Sequence, residues 1–361
     1  MAEITLPHRY HRHLLVPEIG YRGIRAIMSS SVIVIGAGGL GCPALQYLAA
    51  AGVGRIGIVD YDIVSESNLQ RQILYTPADL GYLKADRAAA RLKELNPLVD
   101  IYTYPVKLNS NNALEILRDY DVILDGSDNF PARFLVNDAC VILDKPFVFG
   151  ALYQFKSQVS VFNYQGGPTY RCLVPEYPDS SESLNCDDVG VLGTVAGMTG
   201  CIMAGEVIKI IIQEGNVLSG KLMQMDCLTL QVDILTIKNN SELPKIQELL
   251  DYEELCNAKF DQWPVRSITP ATLRLLMNEN FSGQIVDIRE PEDFSRFSIP
   301  GSINRSASEI ETNPDLISGH HPVIFVCKHG IKSENTIRIL IRKFGFSNLL
   351  NLEGGICGWL H

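Results

Sequence analysis

Two sets of residues in this chain have the types and spacing for chemistry. The first is Gly36, Gly38 and Gly41, a G-x-G-x-x-G pattern that follows the apolar run SVIVI and precedes CPALQYLAAAGV. Glycines at a strand-to-helix turn let backbone amides approach phosphate oxygens at a helix N-terminus, where a β-carbon would obstruct them. Gly39 makes the turn more permissive. Asp60 ends the next apolar run, RIGIVD, about 20 residues beyond the glycines, where a carboxylate accepts hydrogens from ribose hydroxyls. Alone, these features fit a Rossmann-like nucleotide site, and an NAD-dependent dehydrogenase accounts for them as well as an ATP-using enzyme does. The second set is PVIFVCKHGIKS, where an apolar run ends at Cys327 and a short loop leads into the helical pattern ENTIRILIRKF. Such a loop turns backbone amides toward the cysteine and stabilises an anionic sulfur at a helix N-terminus. Lys328 and Lys332 add favourable charge.

Residues beyond the glycine turn separate the two nucleotide readings. After Asp60 come DYDIVSESNLQRQ, then Lys84, then LDGSDN with Asp128. A nicotinamide site needs no dense set of cations there. Cleavage of ATP between its α- and β-phosphates needs positive charge on the departing pyrophosphate, which Arg71 and Lys84 supply. Asp128 follows a strand on the edge where open α/β sheets bind ligands and offers an oxygen ligand to Mg²⁺.

The elements that must position these residues alternate. SVIVI, RIGIVD, VDIYTY, DVILDG and PFVFGA read as strands and are separated by helical patterns such as KADRAAARLKEL. This βαβ alternation predicts an α/β fold with a mostly parallel sheet covered on both faces. After Phe162 a Gly/Pro/Ser-rich stretch, GGPTYRCLVPEYPDSSESLNCDD, reads as a crossing segment, followed by the apolar helical VAGMTGCIMAGEVIKIII. A polar, helix-leaning connector is expected over 239–264. A second, smaller α/β pattern begins near Val265, so the expected domains are 1–238 and 265–361.

VIGAGGLG, VDYDIVSESNLQRQ, Lys84 and LDGSDN, in this order, resemble the MoeB/ThiF branch of ubiquitin-activating enzymes from the N-terminus to about Lys238. The resemblance displaces the dehydrogenase reading. It implies that Gly39, Asp60, Ser67, Asn68, Arg71, Lys84, Asp128 and Asn129 contact ATP or its Mg²⁺. It also implies a homodimer, in which RYHRH is similar to the segment that reaches the partner subunit's nucleotide site and so nominates Arg12. The other reading of Arg12 is a solvated surface arginine. The implied activity is adenylation of the C-terminal glycine of a ubiquitin-like sulfur-carrier protein ending in Gly-Gly.

PVIFVCKHGIKS, VDIREPEDF, IPGSIN and LEGGICGWL resemble a rhodanese domain over roughly residues 265–361. Cysteine phosphatases share that architecture but need an arginine six positions after the cysteine, to hold phosphate through two parallel hydrogen bonds. Ser333 stands there, and Lys332 lacks the planar fork. Sulfur transfer through a persulfide on Cys327 is therefore expected, with a cysteine desulfurase or another persulfide donor as partner. A silent docking module is the alternative.

Cys186, in SLNCDDVGVLG, resembles the family cysteine that attacks the activated carrier or takes part in sulfur transfer. Asp187 and Asp188 disfavour a permanently ionised thiolate there. Relatives carry two Cys-x-x-Cys pairs around zinc; here Thr169 precedes Cys172 and no second pair follows, so no structural zinc site is expected. Cys42, Cys140, Cys201, Cys227, Cys256 and Cys357 read as core or boundary cysteines. Forty-one acidic residues against 31 basic ones give a formal charge of −10, which opposes a nucleic-acid backbone. No run of about 18 apolar residues marks a membrane span, and no signal segment is seen. A cytoplasmic protein with free thiols is expected.

Overall fold

The computed structural model describes residues 7–177, 190–253, 255, 264–279 and 281–360. The chain forms two compact units, and the change between them falls after Glu253.

In the first unit β1 (Ser31–Ile35), β2 (Arg55–Val59), β3 (Asp100–Tyr104), β4 (Val122–Asp125) and β5 (Phe147–Tyr153) run parallel. β6 (Lys156–Phe162), β7 (Lys221–Asp226) and β8 (Gln231–Thr236) continue the sheet antiparallel, in the order β3-β2-β1-β4-β5-β6-β7-β8. The helices are α1 (His11–Leu14), α2 (Gly20–Ser29), α3 (Gly41–Ala51), α4 (Lys84–Leu95), α5 (Ala113–Leu117), α6 (Phe130–Leu143), α7 (Tyr170–Leu173) and α8 (Gly193–Ile212).

Strand alternation sorts β1 into two layers. Val32 and Val34 pack with α3, α4 and α8, while Ile33 and Ile35 pack with α5 and α6. Each such fully buried aliphatic side chain contributes roughly 1.5–3 kcal/mol, so a doubly covered β-branched strand is the natural outcome of SVIVI. α8 is long and apolar enough by composition to cross a membrane, but more than half of its most apolar window is buried, and it packs against α2, α3, β5 and β6. β8 is exposed along its whole length, Val232 and Ile234 included.

The stretch 239–253, expected as part of a connector, belongs to the first unit. Tyr252 is buried there and its hydroxyl donates to Asp138 Oδ2 at 2.7 Å. The same buried carboxylate accepts from Arg171 Nε at 2.9 Å and Nη2 at 2.6 Å. A carboxylate with a guanidinium fork and a phenol satisfies its acceptor positions without water, and this fastens α6, α7 and residue 252 together.

The second unit is an all-parallel sheet of β9 (Arg266–Ile268), β10 (Gln284–Asp287), β11 (Ile303–Asn304), β12 (Val323–Val326) and β13 (Leu349–Leu352), in the order β11-β10-β12-β13-β9. Its helices are α9 (Pro270–Asn278), α10 (Pro291–Arg296), α11 (Ala307–Thr312), α12 (Ile331–Phe344) and α13 (Gly355–Leu360). The motif VDIRE serves this architecture, because Arg289 forks onto buried Asp287, with Nε–Oδ1 at 3.0 Å and Nη2–Oδ2 at 2.6 Å. An α/β architecture with a mostly parallel sheet and a smaller α/β partner is thus what the chain adopts.

Candidate active site

In the first unit the strand order reverses between β1 and β4, the switch point where open α/β sheets leave a crevice at the carboxyl ends of their strands. A cavity of about 830 Å³ opens there. The glycine turn forms one wall. Gly36 has φ +86°, and a β-carbon on Gly41 would overlap the Gly36 carbonyl oxygen. Only glycines close this turn onto α3. Asp60, at the end of β2, braces it: Oδ2 accepts from the Ala37 amide at 2.8 Å and Oδ1 from the Asp62 amide at 2.9 Å. Burial raises the Asp60 titration, opposed chiefly by the nearby Lys84 charge and by these amides.

Lys84 begins α4 and is 6% exposed. Its Nζ lies 2.9 Å from Asp62 Oδ2, so the ammonium is held inside the cavity wall by a carboxylate from the loop after β2. Asn68 closes a short 3-10 turn, Glu66–Asn68, and accepts from the Ser65 amide at 3.3 Å. Ser67 shares a 3.0 Å contact with the Ser65 hydroxyl. Arg71 Nη1 donates to the Ser67 carbonyl at 3.0 Å. After β4, the Asp128 carboxylate is exposed, with Asn129 Nδ2 at 3.3 Å. Asn129 also starts the next helix, since its Oδ1 caps α6 through the Ala132 amide at 3.0 Å.

Gly39, Asp60, Ser67, Asn68, Arg71, Lys84, Asp128 and Asn129 all line this one cavity. Arg12 does not. It is exposed on α1, away from the cavity of its own chain. Cys186 lies outside the described residues. Cys327 belongs to the other unit.

Other lining residues escaped the sequence reading. Asp62, the partner of Lys84, sits two residues past Asp60 in the quoted motif and was legible as a second carboxylate. Gln72 is buried, and its Oε1 has no partner among the described residues, as expected of a group awaiting a ligand. The polar run KLNSNN after β3 contributes Lys107, Asn109 and Asn111; its place past a strand end was the available signal. Leu249–Glu253 covers the same end, with Lys107 paired to Glu253 and the Ser110 hydroxyl donating to the Leu250 carbonyl. No sequence pattern announces that wall.

In the second unit Cys327 follows β12 and is 3% exposed. Its Sγ accepts from the Gly330 amide at 3.1 Å and lies 3.2 Å from the Ser333 hydroxyl. Gly330, at φ +89°, turns the loop into α12. Lys328 and Lys332 are exposed beside it. The sulfur is thus buried with one amide and one hydroxyl at hydrogen-bond distance.

The remaining described thiols divide by burial. Cys42, pushed up to about 12 by burial, donates to the Ala37 carbonyl at 3.2 Å. Cys140 is likewise pushed up by burial. Cys201, expected in the core or at its boundary, is exposed on α8. Cys172 lies 3.7 Å from both Thr169 Oγ1 and Asn239 Oδ1, and among the described residues no three His, Cys, Asp or Glu side chains gather around one point.

Both parts of the chain match known families. The ThiF family profile matches residues 10–245 and that of the Rhodanese-like domain matches residues 269–361. The chain is 39% identical over 361 residues to a probable adenylyltransferase/sulfurtransferase MoeZ of Mycobacterium tuberculosis, covering 97% of this chain and 92% of that one. It is 48% identical over 262 residues to a sulfur carrier protein adenylyltransferase of Thermus thermophilus, covering 70% of this chain and 97% of the other. A crystal structure of E. coli MccB with ATP superposes with TM-score 0.59 at 19% identity, over 66% of this chain and 74% of that one, a likeness of fold.

Proposed function

This chain belongs to the ThiF family and carries a Rhodanese-like domain, and on that premise we propose that it adenylates the C-terminal glycine of a ubiquitin-like sulfur-carrier protein and then transfers sulfur to it. The observation that carries the reading is the single cavity joining the glycine turn, Asp60, Arg71, Lys84 and Asp128, on a chain that also holds a buried cysteine loop.

ATP is the substrate that suits this cavity. The turn from Gly36 to Gly39 offers amides to its phosphates, Asp60 a carboxylate to its ribose, and Gln72 an amide oxygen without a partner among the described residues. The carrier's terminal carboxylate attacks the α-phosphorus, and pyrophosphate leaves. Arg71 and Lys84 meet the charge that develops on the departing oxygens, and fixed cations in a partly dry site act strongly there. Asp128 fits Mg²⁺, which takes oxygen ligands and keeps several waters; bound there, it would neutralise phosphate charge. In the implied homodimer Arg12 serves the partner subunit's nucleotide site.

The outer sulfur of a Cys327 persulfide then attacks the acyl carbon and AMP leaves, giving an acyl disulfide. A second thiol attacks its Cys327 sulfur, so the S–S bond breaks, the carrier leaves as a thiocarboxylate and the two thiols end as a disulfide that a cellular thiol reduces. Cys327 presents the sulfur as a persulfide received from a desulfurase or similar donor. Cys186 holds the activated carrier or resolves an acyl disulfide. Thr169 in place of a cysteine, with Asn239 facing Cys172, supports the absence of structural zinc; a chelator-resistant equivalent of zinc in purified protein would refute this. The free thiols, Cys201 exposed among them, suit a reducing cytoplasm.

A second reading has one observation in its favour. Cys327 is nearly buried, as a docking module without sulfur chemistry would allow. Incubation with ATP and Gly-Gly-ending carriers, followed by intact-mass analysis, tests both. Gain of an adenylate and replacement of one oxygen by sulfur supports the full proposal. Adenylate without thiocarboxylate, with a persulfide donor present, reduces the second unit to docking, and no pyrophosphate release overturns the first step.

A further inference from the structure

Asn351 is a polar residue in an apolar place. It lies on β13 between Leu350 and Leu352, on the sheet face whose layer holds Leu349, Phe325 and Cys327, under α12 residues Ile337 and Leu340. It is 4% exposed. A valine would fill such a position without desolvating an amide. Its Oδ1 accepts from the Ser333 hydroxyl at 2.6 Å. Ser333, fully buried, also stands 3.2 Å from Cys327 Sγ and 3.1 Å from the Gly330 carbonyl.

One hydroxyl carries one proton, so Ser333 cannot donate to all three acceptors at once. With Cys327 as a neutral thiol, S–H donates to Ser333 Oγ and the hydroxyl donates to Asn351. With Cys327 anionic, the sulfur only accepts. The Gly330 amide already points at it, and the Ser333 proton must swing round to join. Asn351 Oδ1 then loses its donor. Half a turn of the amide brings Nδ2–H toward Ser333 Oγ, so the asparagine donates where it had accepted; the two orientations have nearly the same shape. An ionised carboxylate at that place would only accept.

We propose that Asn351 is a positioning residue whose amide reverses with the charge on Cys327, freeing the Ser333 proton for the sulfur whenever the sulfur is an anion. The inference rests on the reading of Cys327 as a reactive sulfur, but its test needs no carrier protein.

The test is the alkylation rate of Cys327 in the full chain, followed by peptide mass analysis at one alkaline pH where carboxylates are ionised. Asn351→Asp fixes the Ser333 proton away from sulfur and slows alkylation about 10- to 100-fold, the worth of one hydrogen bond to a charged group. Asn351→Ala removes the competing acceptor and stays within about threefold of the parent, because the hydroxyl is then free to turn. Asn351→Leu, closer in volume, carries the same expectation if the alanine variant does not fold. A packing role predicts the reverse order, since aspartate conserves shape and alanine leaves a hole. In a Ser333→Ala background, Asn351→Asp adds no further slowing, because its effect runs through the hydroxyl. Alanine and leucine variants slower than the aspartate variant would overturn the inference. So would an aspartate penalty that persists in full without the Ser333 hydroxyl, which is plain charge repulsion. If this pattern holds while no carrier thiocarboxylate forms, the amide reversal stands and the sulfur-delivery reading falls.

Discussion

Replacing Lys84 by alanine tests the candidate site where charge and burial meet. Lys84 is 6% exposed, its ammonium lies 2.9 Å from Asp62 Oδ2, and its charge opposes the upward push that burial exerts on Asp60. Removing a cation that meets developing phosphate charge costs about 10²- to 10³-fold in rate, or about 2.7–4 kcal/mol of barrier. The stability cost is smaller. Asp62 is half exposed and regains water, so its lost pair is worth nearer 1 kcal/mol than the roughly 3–5 kcal/mol of a fully buried one. Asp60 is buried, and with the Lys84 charge gone its titration, already raised, climbs further in the variant. A carboxyl that titrates higher in the folded state than in the unfolded one opposes folding at neutral pH, and the opposition fades as pH falls through the folded value. The variant's stability deficit therefore shrinks toward acid. Activity falls far more than stability, so ATP–pyrophosphate exchange with carrier drops about 10²- to 10³-fold at a temperature where the variant is fully folded. Exchange within about threefold of the parent, a loss far below the worth of a transition-state cation, would refute the assignment. A stability deficit that grows toward acid would refute the account of Asp60.

Cys327→Ser leaves carrier adenylation nearly intact and stops sulfur transfer from thiosulfate or a persulfide donor, because a hydroxyl holds no labile second sulfur; thiocarboxylate at the parent rate, read by intact mass, would demote the second unit. Asp138→Ala strands the Arg171 guanidinium and the Tyr252 hydroxyl and lowers the stability of the first unit by about 3–5 kcal/mol; a denaturant deficit below about 1 kcal/mol would show the network to be slack. Under native alkylation Cys201 is modified while Cys42, pushed up to about 12, and Cys140 resist. Peptide mapping checks this, and labelling of Cys42 ahead of Cys201 would contradict the burial described.

The glycine turn, the strand ends and the cysteine loop were legible because each is local. A β-branched run, a glycine forced by φ +86° at Gly36, or a cysteine before a helix announces itself within a few residues. The gathering of Asp60, Asn68, Arg71, Lys84 and Asp128 was legible only through motif order. What escaped depends on neighbours distant in sequence. Leu249–Glu253 reaches the cavity because Tyr252 finds Asp138, 114 residues earlier. Asn351 meets Ser333 across 18 residues, from strand to helix. The exposure of Cys201 was hidden for another reason: α8 is apolar nearly all round, so its sequence does not mark which face the core covers.

Among the described residues β8 has one strand neighbour, β7, and its far side ends the sheet. The strand reads QVDILT, with Asp233 its single charge, and the turn before it exposes Leu228 at 71% and Leu230 at 72%. Proteins usually guard a free edge with lysines, proline or a bulge, because its unpaired amides and carbonyls can template a strand from another molecule. Here the guard is one carboxylate, on a segment of the length and composition that forms cross-β contacts. Self-association of this chain should therefore start at β8 and steepen with concentration. It should ease with a lysine substituted at Val232 or Ile234, neither of which lines the nucleotide cavity or belongs to the unit of the cysteine loop.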